Sequence, residues 1–347
     1  MVTLTADETE FAIVDLRQVS SAQLAPLLEE EQAAWREQLR WDYRPSLALI
    51  KRHVDAHSLP GYVALAGSSR RVAGYVFFVC EDHKGLLGDL YVGQEFLPRS
   101  VAAAVRAGLA TQLLEHTLTA LEATPGVTRI EAQPILFGTE PLAPVFLAHN
   151  FSSYPRLFMY KALEKTSEAK APYTCGPYVP HTNTEWEIQA WSDGFFAAMA
   201  ELMVSAYREH VDSRINDQYC TSSGTLKFLK NIVVFPGCGV FQPEASFVAL
   251  AEPSGVEREN RPLAGAILVS QVAARVAHIT QICVRRELQG AGLGTRLLVR
   301  TLDHLRQRGY EGVSLSVTAE NQPAVRLYHR FGFQLLKNFT AYVWQKP

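Results

Sequence analysis

The sequence has 347 residues, of which 48% are hydrophobic and 20% are charged, and these values exclude a wholly disordered chain. Its 33 basic and 35 acidic residues give a formal net charge of −2, which does not favour a nucleic-acid or anionic-membrane partner. No apolar run approaches the ~20 residues that a membrane-spanning helix needs, and the N-terminus lacks the basic start and apolar core of a secretory signal. At about 150 residues per domain, the length predicts two domains.

The five cysteines are few and scattered, and none forms a Cys-x-x-Cys pair. The pattern indicates neither a disulfide framework nor a cysteine zinc site, so we expect no metal. A reduced, cytoplasmic protein is the simplest interpretation.

The elements of the first part, taken in chain order, read β-α-α-β-β-β-α-β-α-β. They are predicted as strand Phe11–Leu16, helices Gln23–Trp35 and Leu47–Ala56, strands Tyr62–Ala66, Val72–Val79 and Leu86–Val92, helix Leu109–Leu121, strand Val127–Ala132, helix Pro144–His149 and strand Leu157–Leu163.

A linker is predicted over residues 166–184, where Pro, Gly, Ser and Thr concentrate and periodicity is weak. The linker separates residues 1–165 from residues 185–347, and each part is long enough to bury its own core.

The second part repeats the same order of elements. They are predicted as strand Trp186–Trp191, helices Phe195–Tyr207 and Leu226–Val233, strands Phe247–Ala251, Leu263–Gln271 and Val276–Val284, a helix from Leu293 that stops near Gly309, strand Val313–Val317, helix Pro323–Phe331 and strand Phe339–Trp344. The expected fold class is therefore α/β, with a mixed sheet in each of two tandem domains.

A direct sequence echo supports a duplication. The segment 107–114 matches the segment 291–298 at six of eight positions, and each is predicted to start the long helix of its part.

A glycine-rich turn between a strand and that second long helix is the most informative stretch. Gln289, Gly290, Gly292 and Gly294 lie in this turn. Glycines allow positive φ and close approach of the backbone, and free amides at a helix N-terminus attract an anion such as a pyrophosphate. A Walker loop is excluded because no Gly-Lys-Ser/Thr follows, and a dinucleotide fingerprint is broken because Thr295 takes its last glycine position. A plain glycine turn without a ligand remains the structural alternative.

The turn Gln289-x-x-Gly292-x-Gly294 resembles the acyl-CoA loop of the GCN5-related N-acetyltransferase (GNAT) family. The run Asn321-Gln-Pro-Ala-Val-Arg-Leu-Tyr-His-Arg-Phe-Gly-Phe333 resembles the second signature of that family. Close resemblance covers residues 276–333, and the order of elements extends it to both halves, as in tandem two-domain members.

The resemblance implies that acyl-CoA, most simply acetyl-CoA, is the cosubstrate and lies where two central strands splay apart. The residues implied in binding it are Ile282, Cys283, Val284, Gln289, Gly290, Ala291, Gly292, Leu293, Gly294, Thr295 and Asn321. Tyr328 would protonate the departing thiolate, a task that suits a phenol. An amine attacking the thioester directly needs no cysteine or serine nucleophile. In the alternative interpretation, Tyr328 edges the core, Asn321 is only a helix cap and Cys283 is a small buried residue.

The general base is harder to assign. The family often places Glu or Asp on the strand before the loop, where this sequence has Thr280 and Gln281. His278 on that strand, and Glu209 and Asp212 in the loop of residues 207–219, are candidates for a base or for substrate binding. The alternatives are a structural histidine, a solvated polar loop and deprotonation by solvent.

The first half is expected to have no catalytic function. Val105 stands opposite Gln289, Ala148 stands opposite Tyr328, and the loop from Val92 to Gly108 is about eight residues longer than its counterpart.

The sequence therefore predicts an acyl-CoA-dependent N-acyltransferase that acts on a primary amine of a small molecule or a peptide. A non-catalytic acyl-CoA sensor or scaffold is the alternative, and a nucleotide-dependent oxidoreductase is third.

Overall fold

A computed structural model describes residues 11–67, 70–94, 102–137, 139–164, 186–235, 238–251 and 261–347. The chain forms two compact units. Unit 1 consists of Met1–Arg156 with Lys337–Pro347, and unit 2 consists of Leu157–Leu336. The predicted linker, residues 166–184, lies outside the described residues. No helix of the described ranges is long and apolar enough to cross a membrane.

Unit 1 is a mixed sheet with helices on both faces. In chain order its elements are β1 (Phe11–Asp15), α1 (Ser21–Leu39), α2 (Arg44–Asp55), β2 (Gly61–Ala66), β3 (Arg71–Glu81), β4 (Lys84–Val92), α3 (Ala102–Ala123), β5 (Arg129–Ala132), α4 (Thr139–Ala148), the start of β6 (Ser152–Ala162) and most of β13 (Gln334–Gln345). The strand order is β1-β2-β3-β4-β5-β13, and β4 and β5 are parallel. Apolar residues of α1 and α2 pack on one face and those of α3 and α4 on the other.

Unit 2 has the same plan. Its elements are the end of β6, then β7 (Glu187–Ala190), α5 (Phe196–Tyr207), α6 (Val211–Ile215), α7 (Ser222–Val233), β8 (Val240–Phe241), β9 (Phe247–Leu250), β10 (Leu263–Ala273), β11 (Val276–Val284), α8 (Leu293–Gln307), β12 (Gly312–Thr318) and α9 (Gln322–Arg330). The strand order is β6-β12-β11-β10-β9-β7, with β8 paired to β10. Helices α5 and α7 cover one face, and α8 and α9 cover the other.

The units differ from the contiguous halves expected from the sequence by the exchange of two strand segments. Met159 and Leu163 lie in the core of unit 2, whereas Tyr342 and Trp344 lie in a core of unit 1. Each segment is therefore assigned to the unit in which its apolar side chains are buried.

Most predicted elements are present, with shifts at their ends. The short helix α6 and the short strand β8 had no counterpart in the sequence analysis. Helix α3 begins at Ala102, so Gly108 lies inside a helix rather than at its start, and the expectation that the echo opens the long helix is wrong for the first half. The preceding residues 95–101, which fall within the predicted longer loop, lie outside the described residues.

Candidate active site

Strands β11 and β12 of unit 2 separate partway along their length. Their parallel register runs from Val276↔Gly312 to Ile279↔Leu315. Strand β11 then continues to Val284 and β12 to Thr318 with no further pair recorded between these two described strands. The main chain of β11 beyond Ile279 thus pairs with β10 on one side and borders an opening on the other.

A β-bulge at Thr280 marks the point of separation. Leu268 pairs with Gln281 and Val269 pairs with Ile279, so Thr280 is the extra residue, and its hydroxyl donates a hydrogen bond of 3.1 Å to the carbonyl of Leu268. A bulge shifts the side-chain alternation by one position. Ile279 accordingly packs under α8 and α9, whereas Cys283 packs under α5 and α7.

The glycine-rich turn at the end of β11 has the geometry of an anion cradle. Gly290 and Gly292 have φ of 80° and 90°, a left-handed conformation that favours glycine. Gly292 caps α8 without a side-chain hydrogen bond, so the first amides of α8 receive no side-chain cap. A Cβ at Gly290 would meet nothing within 4 Å, so there is open space above the turn. These observations fit a diphosphate group at the N-terminus of α8.

The remaining predicted cosubstrate residues frame that turn. Ile282, Cys283 and Val284 form the last part of β11, and their recorded pairs are on β10. The side-chain amide of Gln289 donates a hydrogen bond of 3.2 Å to the carbonyl of Val284 and closes the turn. Ala291, Leu293, Gly294 and Thr295 surround the start of α8, where Leu293 and Thr295 are buried. Burial raises the pKa of the Cys283 thiol to about 12, which keeps it protonated and unsuited to act as a nucleophile.

Two tyrosines hydrogen-bond to the side-chain amide of Gln281 beside the opening. The hydroxyl of Tyr207 donates to Gln281 Oε1 at 2.6 Å, and Gln281 Nε2 donates to the Tyr219 hydroxyl at 2.8 Å. The two tyrosine rings stack with centroids 4.2 Å apart. The strand position where a carboxylate was expected from the resemblance therefore holds a neutral amide that is already hydrogen-bonded at both ends.

A polar cluster connects the loop after α5 with the C-terminal end of β12 and the N-terminal end of α9. Asp212 on α6 accepts a short hydrogen bond from the hydroxyl of Thr318, the last residue of β12. His210 Nδ1 accepts from the backbone amide of Asp212 at 3.1 Å, and His210 Nε2 lies 3.2 Å from the Asn321 side-chain amide. Asn321 caps α9 by accepting from the amide of Ala324 at 3.3 Å. The structure thus brings Asp212 and Asn321, both predicted site residues, to one place.

Tyr328 on α9 belongs to the same region. Its side chain is buried, and burial, reinforced by the negative charge of Asp212, raises the pKa of its hydroxyl well above the usual value. The hydroxyl therefore stays protonated at neutral pH, which is the state that a proton donor needs.

Two other predicted candidates lie elsewhere. His278 lies on the paired part of β11, where its ring is 2.9 Å from the Ser314 hydroxyl and stacks on Phe158. Glu209 is 73% exposed and forms an ion pair of 2.8 Å with Arg286.

His210, Tyr207, Tyr219 and Thr318 are site residues that the sequence reasoning missed. His210 stands two positions before Asp212, a candidate site residue in the loop of residues 207–219. Its closeness to Asp212 in the sequence was the one signal that could have identified it.

The corresponding strand of unit 1 lies beside an acidic cluster formed by Asp89 on β4 and Glu31 on α1. Asp89 stands two residues beyond the last parallel pair of β4, as Gln281 does on β11. Asp89 accepts a short hydrogen bond from Tyr43, and Glu31, fully buried, accepts one of 2.6 Å from Tyr75.

An arginine closes the end of that strand. Arg106 Nε donates to the carbonyl of Val92 at 2.9 Å, and its guanidinium lies over the rings of Tyr91 and Phe137. This contact takes the place of the Gln289 contact in unit 2.

Among the described residues, no group of three or more His, Cys, Asp or Glu side chains is placed to hold a metal ion.

Comparison with known proteins identifies the C-terminal region. Residues 221–333 match the model of the Acetyltransferase (GNAT) family, which confirms the predicted resemblance. A segment is 36% identical over 111 residues to mycothiol acetyltransferase of Thermobifida fusca, covering 29% of this chain and 32% of that protein. Another is 30% identical over 104 residues to N-alpha-acetyltransferase 30 of Schizosaccharomyces pombe, covering 29% of this chain and 64% of that protein. The alignment thus spans about a third of the first relative and less than two thirds of the second.

Solved structures extend the likeness to the whole chain. A GCN5-related N-acetyltransferase from Sphaerobacter thermophilus superposes with a TM-score of 0.60 at 18% identity, covering 99% of this chain and 98% of the other. A tandem GNAT protein from the clavulanic acid biosynthesis pathway superposes with a TM-score of 0.51 at 15% identity, covering 97% and 98% of the two chains. At these identities the likeness shows the fold, and it confirms the predicted fold class.

Proposed function

We propose that this protein, whose residues 221–333 form an acetyltransferase (GNAT) domain, transfers an acyl group from acyl-CoA to a primary amine in unit 2. Acetyl-CoA is the simplest donor, and the acceptor is a small molecule or a peptide. Relatives named as mycothiol acetyltransferase and N-alpha-acetyltransferase support this class of acceptor.

One observation carries the proposal. The opening between β11 and β12 leads to a turn whose glycines have positive φ and whose helix lacks a side-chain cap. A linear donor with a diphosphate at one end and a thioester at the other matches this geometry. The amides from Gln289 to Thr295 would hold the diphosphate, the backbone of Ile282–Val284 would bind the pantetheine arm, and Asn321 would contact it from the other side.

The chemistry follows from the groups near the opening. The acceptor amine attacks the thioester carbonyl, the carbon–sulfur bond breaks, and Tyr328 protonates the departing thiolate. Because Cys283 is buried with a raised pKa, direct attack by the amine is favoured over a covalent cysteine intermediate.

Unit 1 has different side chains at the position that corresponds to this opening, and they favour a structural role for that unit. Arg106 occupies the end of β4, and Ala148, the last residue of α4, stands where the sequence match places Tyr328. We propose that unit 1 does not catalyse the transfer.

A glycine substitution at either end of α8 tests the cosubstrate site. Gly292→Val places a branched side chain in the cradle, and we expect at least a tenfold loss of acetyl-CoA affinity by calorimetry. Gly309→Val is the matched control, since Gly309 has φ of 77° and lies just past the other end of α8 with open space around it. Both variants carry similar backbone strain, so equal affinity in the two would refute the cradle.

Release of free thiol from acetyl-CoA with a panel of primary amines tests the reaction itself. Acyl transfer predicts thiol release that depends on the amine. Tight acetyl-CoA binding without thiol release for any amine would favour the sensor, an alternative supported by the neutral Gln281 at the strand position.

A further inference from the structure

We propose that the side chains of Arg106 and Lys337 in unit 1 form a non-catalytic binding site for the phosphate group of a small molecule. This site lies in a different unit from the acyl transfer proposed above and does not depend on that reaction. The two side chains are partly exposed cations around the ends of β4 and β5, and neither forms an ion pair with a carboxylate of the described residues.

Strands β4 and β5 separate in unit 1 much as β11 and β12 do in unit 2. Their last recorded parallel pair is Leu87↔Ala132, at the end of β5, whereas β4 continues to Val92. Arg106 on α3 connects the end of β4 with the segment that follows β5. Its Nε donates a hydrogen bond of 2.9 Å to the carbonyl of Val92, and its guanidinium lies 5.3 Å from the ring centroid of Phe137.

The contact between Arg106 and Val92 does not require a positive charge. In unit 2 the neutral side chain of Gln289 makes the equivalent contact, since its amide donates to the carbonyl of Val284, the last residue of β11, at 3.2 Å. Arg106 adds a charge and two terminal nitrogens, and its recorded hydrogen bond uses Nε alone. A guanidinium is a planar fork that can bind two oxygens of one anion.

Aromatic rings hold the guanidinium without neutralising its charge. Arg106 lies over the rings of Tyr91 and Phe137, at 5.9 and 5.3 Å from their centroids. The carboxylate of Glu30 accepts a hydrogen bond of 3.2 Å from the Tyr91 hydroxyl and one of 2.6 Å from the backbone amide of Gln94. Glu30 is therefore engaged by neutral donors rather than by Arg106.

Lys337 on β13 brings a second cation to the same segment. Its Nζ donates to the carbonyl of Leu136 at 2.7 Å and makes a short hydrogen bond to the side-chain oxygen of Gln38, near the end of α1. Both acceptors are neutral, and Leu136 directly precedes Phe137, over which Arg106 lies. Burial and the positive charge of Arg106 lower the pKa of Lys337 to about 8. Two like charges thus lie close together, and a bound anion would relieve their repulsion.

The charge of the pair favours a phosphate over a carboxylate. A phosphate monoester carries about 1.5 to 2 negative charges at pH 7, which matches one guanidinium and one ammonium, whereas a carboxylate carries only one. The fork of Arg106 suits two phosphate oxygens, and the ammonium of Lys337 suits a third. In unit 2 the proposed cradle uses backbone amides for this purpose, and in unit 1 two side chains would supply the attraction.

Calorimetric titration with inorganic phosphate tests the site. The titration is done in Gly292→Val protein, because inorganic phosphate also suits the cradle proposed in unit 2. Adding Arg106→Gln keeps a donor for Val92, as Gln289 does in unit 2, and should weaken phosphate binding about tenfold through loss of a charged hydrogen bond. Arg52→Gln in the same background is the matched control, since Arg52 is an exposed arginine on α2, and it should leave the phosphate affinity unchanged.

The titration of Lys337 in the unaltered protein gives a second measurement at the site itself. A bound phosphate favours the charged ammonium, so the midpoint of this titration, followed by NMR, should move to higher pH. The signal is identified by its loss in Lys337→Met, which keeps an unbranched apolar side chain. Acetate at the same ionic strength should move the midpoint less. A midpoint that phosphate leaves unchanged would overturn the site.

The outcomes separate this site from the proposed acyl transfer. Equal phosphate affinity in Arg106→Gln and Arg52→Gln would show binding elsewhere and overturn the site. Equal effects of acetate and phosphate on Lys337 would overturn the assignment to a phosphate. Amine-dependent thiol release should be the same in Arg106→Gln as in the unaltered protein, and its loss would contradict a non-catalytic site. No thiol release by the unaltered protein would overturn the acyl transfer alone.

Discussion

Tyr328 and Asn321 show what single residues reveal in a sequence. Both belong to one short run on and before α9, and the resemblance of that run to the second family signature singled them out. His210 was missed because the side chain it meets, Asn321, is 111 residues away. A contact between distant segments leaves no periodic trace in the sequence.

Replacing Tyr328 by phenylalanine tests the proposed proton donor. The change removes one hydroxyl from a buried ring, and we expect kcat to fall at least tenfold, because the thiolate then leaves without a proton. Acetyl-CoA affinity, measured by calorimetry, should stay within twofold, since the ring itself is kept.

Tyr310→Phe is the matched control for that substitution. The Tyr310 hydroxyl lies within hydrogen-bonding distance of Gln242 and Gln271, away from the polar cluster around Asp212. Its loss should leave kcat unchanged. An undiminished kcat in Tyr328→Phe would remove the donor role.

Elements whose signals are local were predicted well. Helix α8 was expected from its apolar face and from the glycines before it, and it begins at Leu293 as the turn chemistry requires. The bulge at Thr280 was not predicted, because it depends on how β11 pairs with β10 rather than on the sequence of β11. The early start of α3 was missed for a related reason, since Gly108 is tolerated inside a helix despite its low propensity.

The acidic cluster between α1 and β4 gives unit 1 a distinct response to pH. Burial raises the pKa of Asp89 from 3.8 to about 6. Between about pH 4 and 6 the unfolded chain releases this proton while the folded chain keeps it, so the free energy of unfolding falls as the pH rises. Above pH 6 the cost of the buried charge is fully present.

Replacing Asp89 by asparagine should remove that cost. Urea unfolding, followed by tryptophan fluorescence, should show the variant gaining about 2–3 kcal/mol relative to the unaltered protein between pH 4 and pH 7. Asp42→Asn is the control with opposite sign, because a hydrogen bond from Arg44 lowers the pKa of Asp42. A pH-independent difference for Asp89→Asn would show that the carboxyl is not buried in solution.

At the scale of the whole molecule, the repeated order of elements was visible in the sequence, and the exchange of segments was not. Repeats show themselves by comparison of one half with the other. Which strand pairs with the edge strand β5 depends on contacts between distant parts of the chain, such as the pair Tyr342 and Ala132. The order of elements along the sequence does not indicate such a pair.

Separate expression of the two contiguous halves tests the exchange. Residues 1–165 lack Lys337–Pro347, which belong to unit 1, and residues 185–347 lack the segment from Leu157 that belongs to unit 2. We expect each half alone to melt about 10 °C or more below the whole protein, because several buried apolar side chains are lost. Calorimetry of each piece provides the measurement.

Co-expression of residues 1–175 with residues 176–347 is the control, since every described segment is then present. This pair should retain most of the melting temperature. Full stability of residues 1–165 alone would show that unit 1 does not need the C-terminal strand.

The C-terminal segment Lys337–Pro347, which belongs to unit 1, is synthesised last. Ribosomes release a protein from its N-terminus onward, and domains generally fold as they emerge. Because β13 pairs with β5, the edge of β5 in unit 1 stays unpaired until unit 2 has been synthesised. An unpaired strand edge is a template for pairing with other chains. The nascent protein is therefore prone to aggregation until the residues after Leu336 are released.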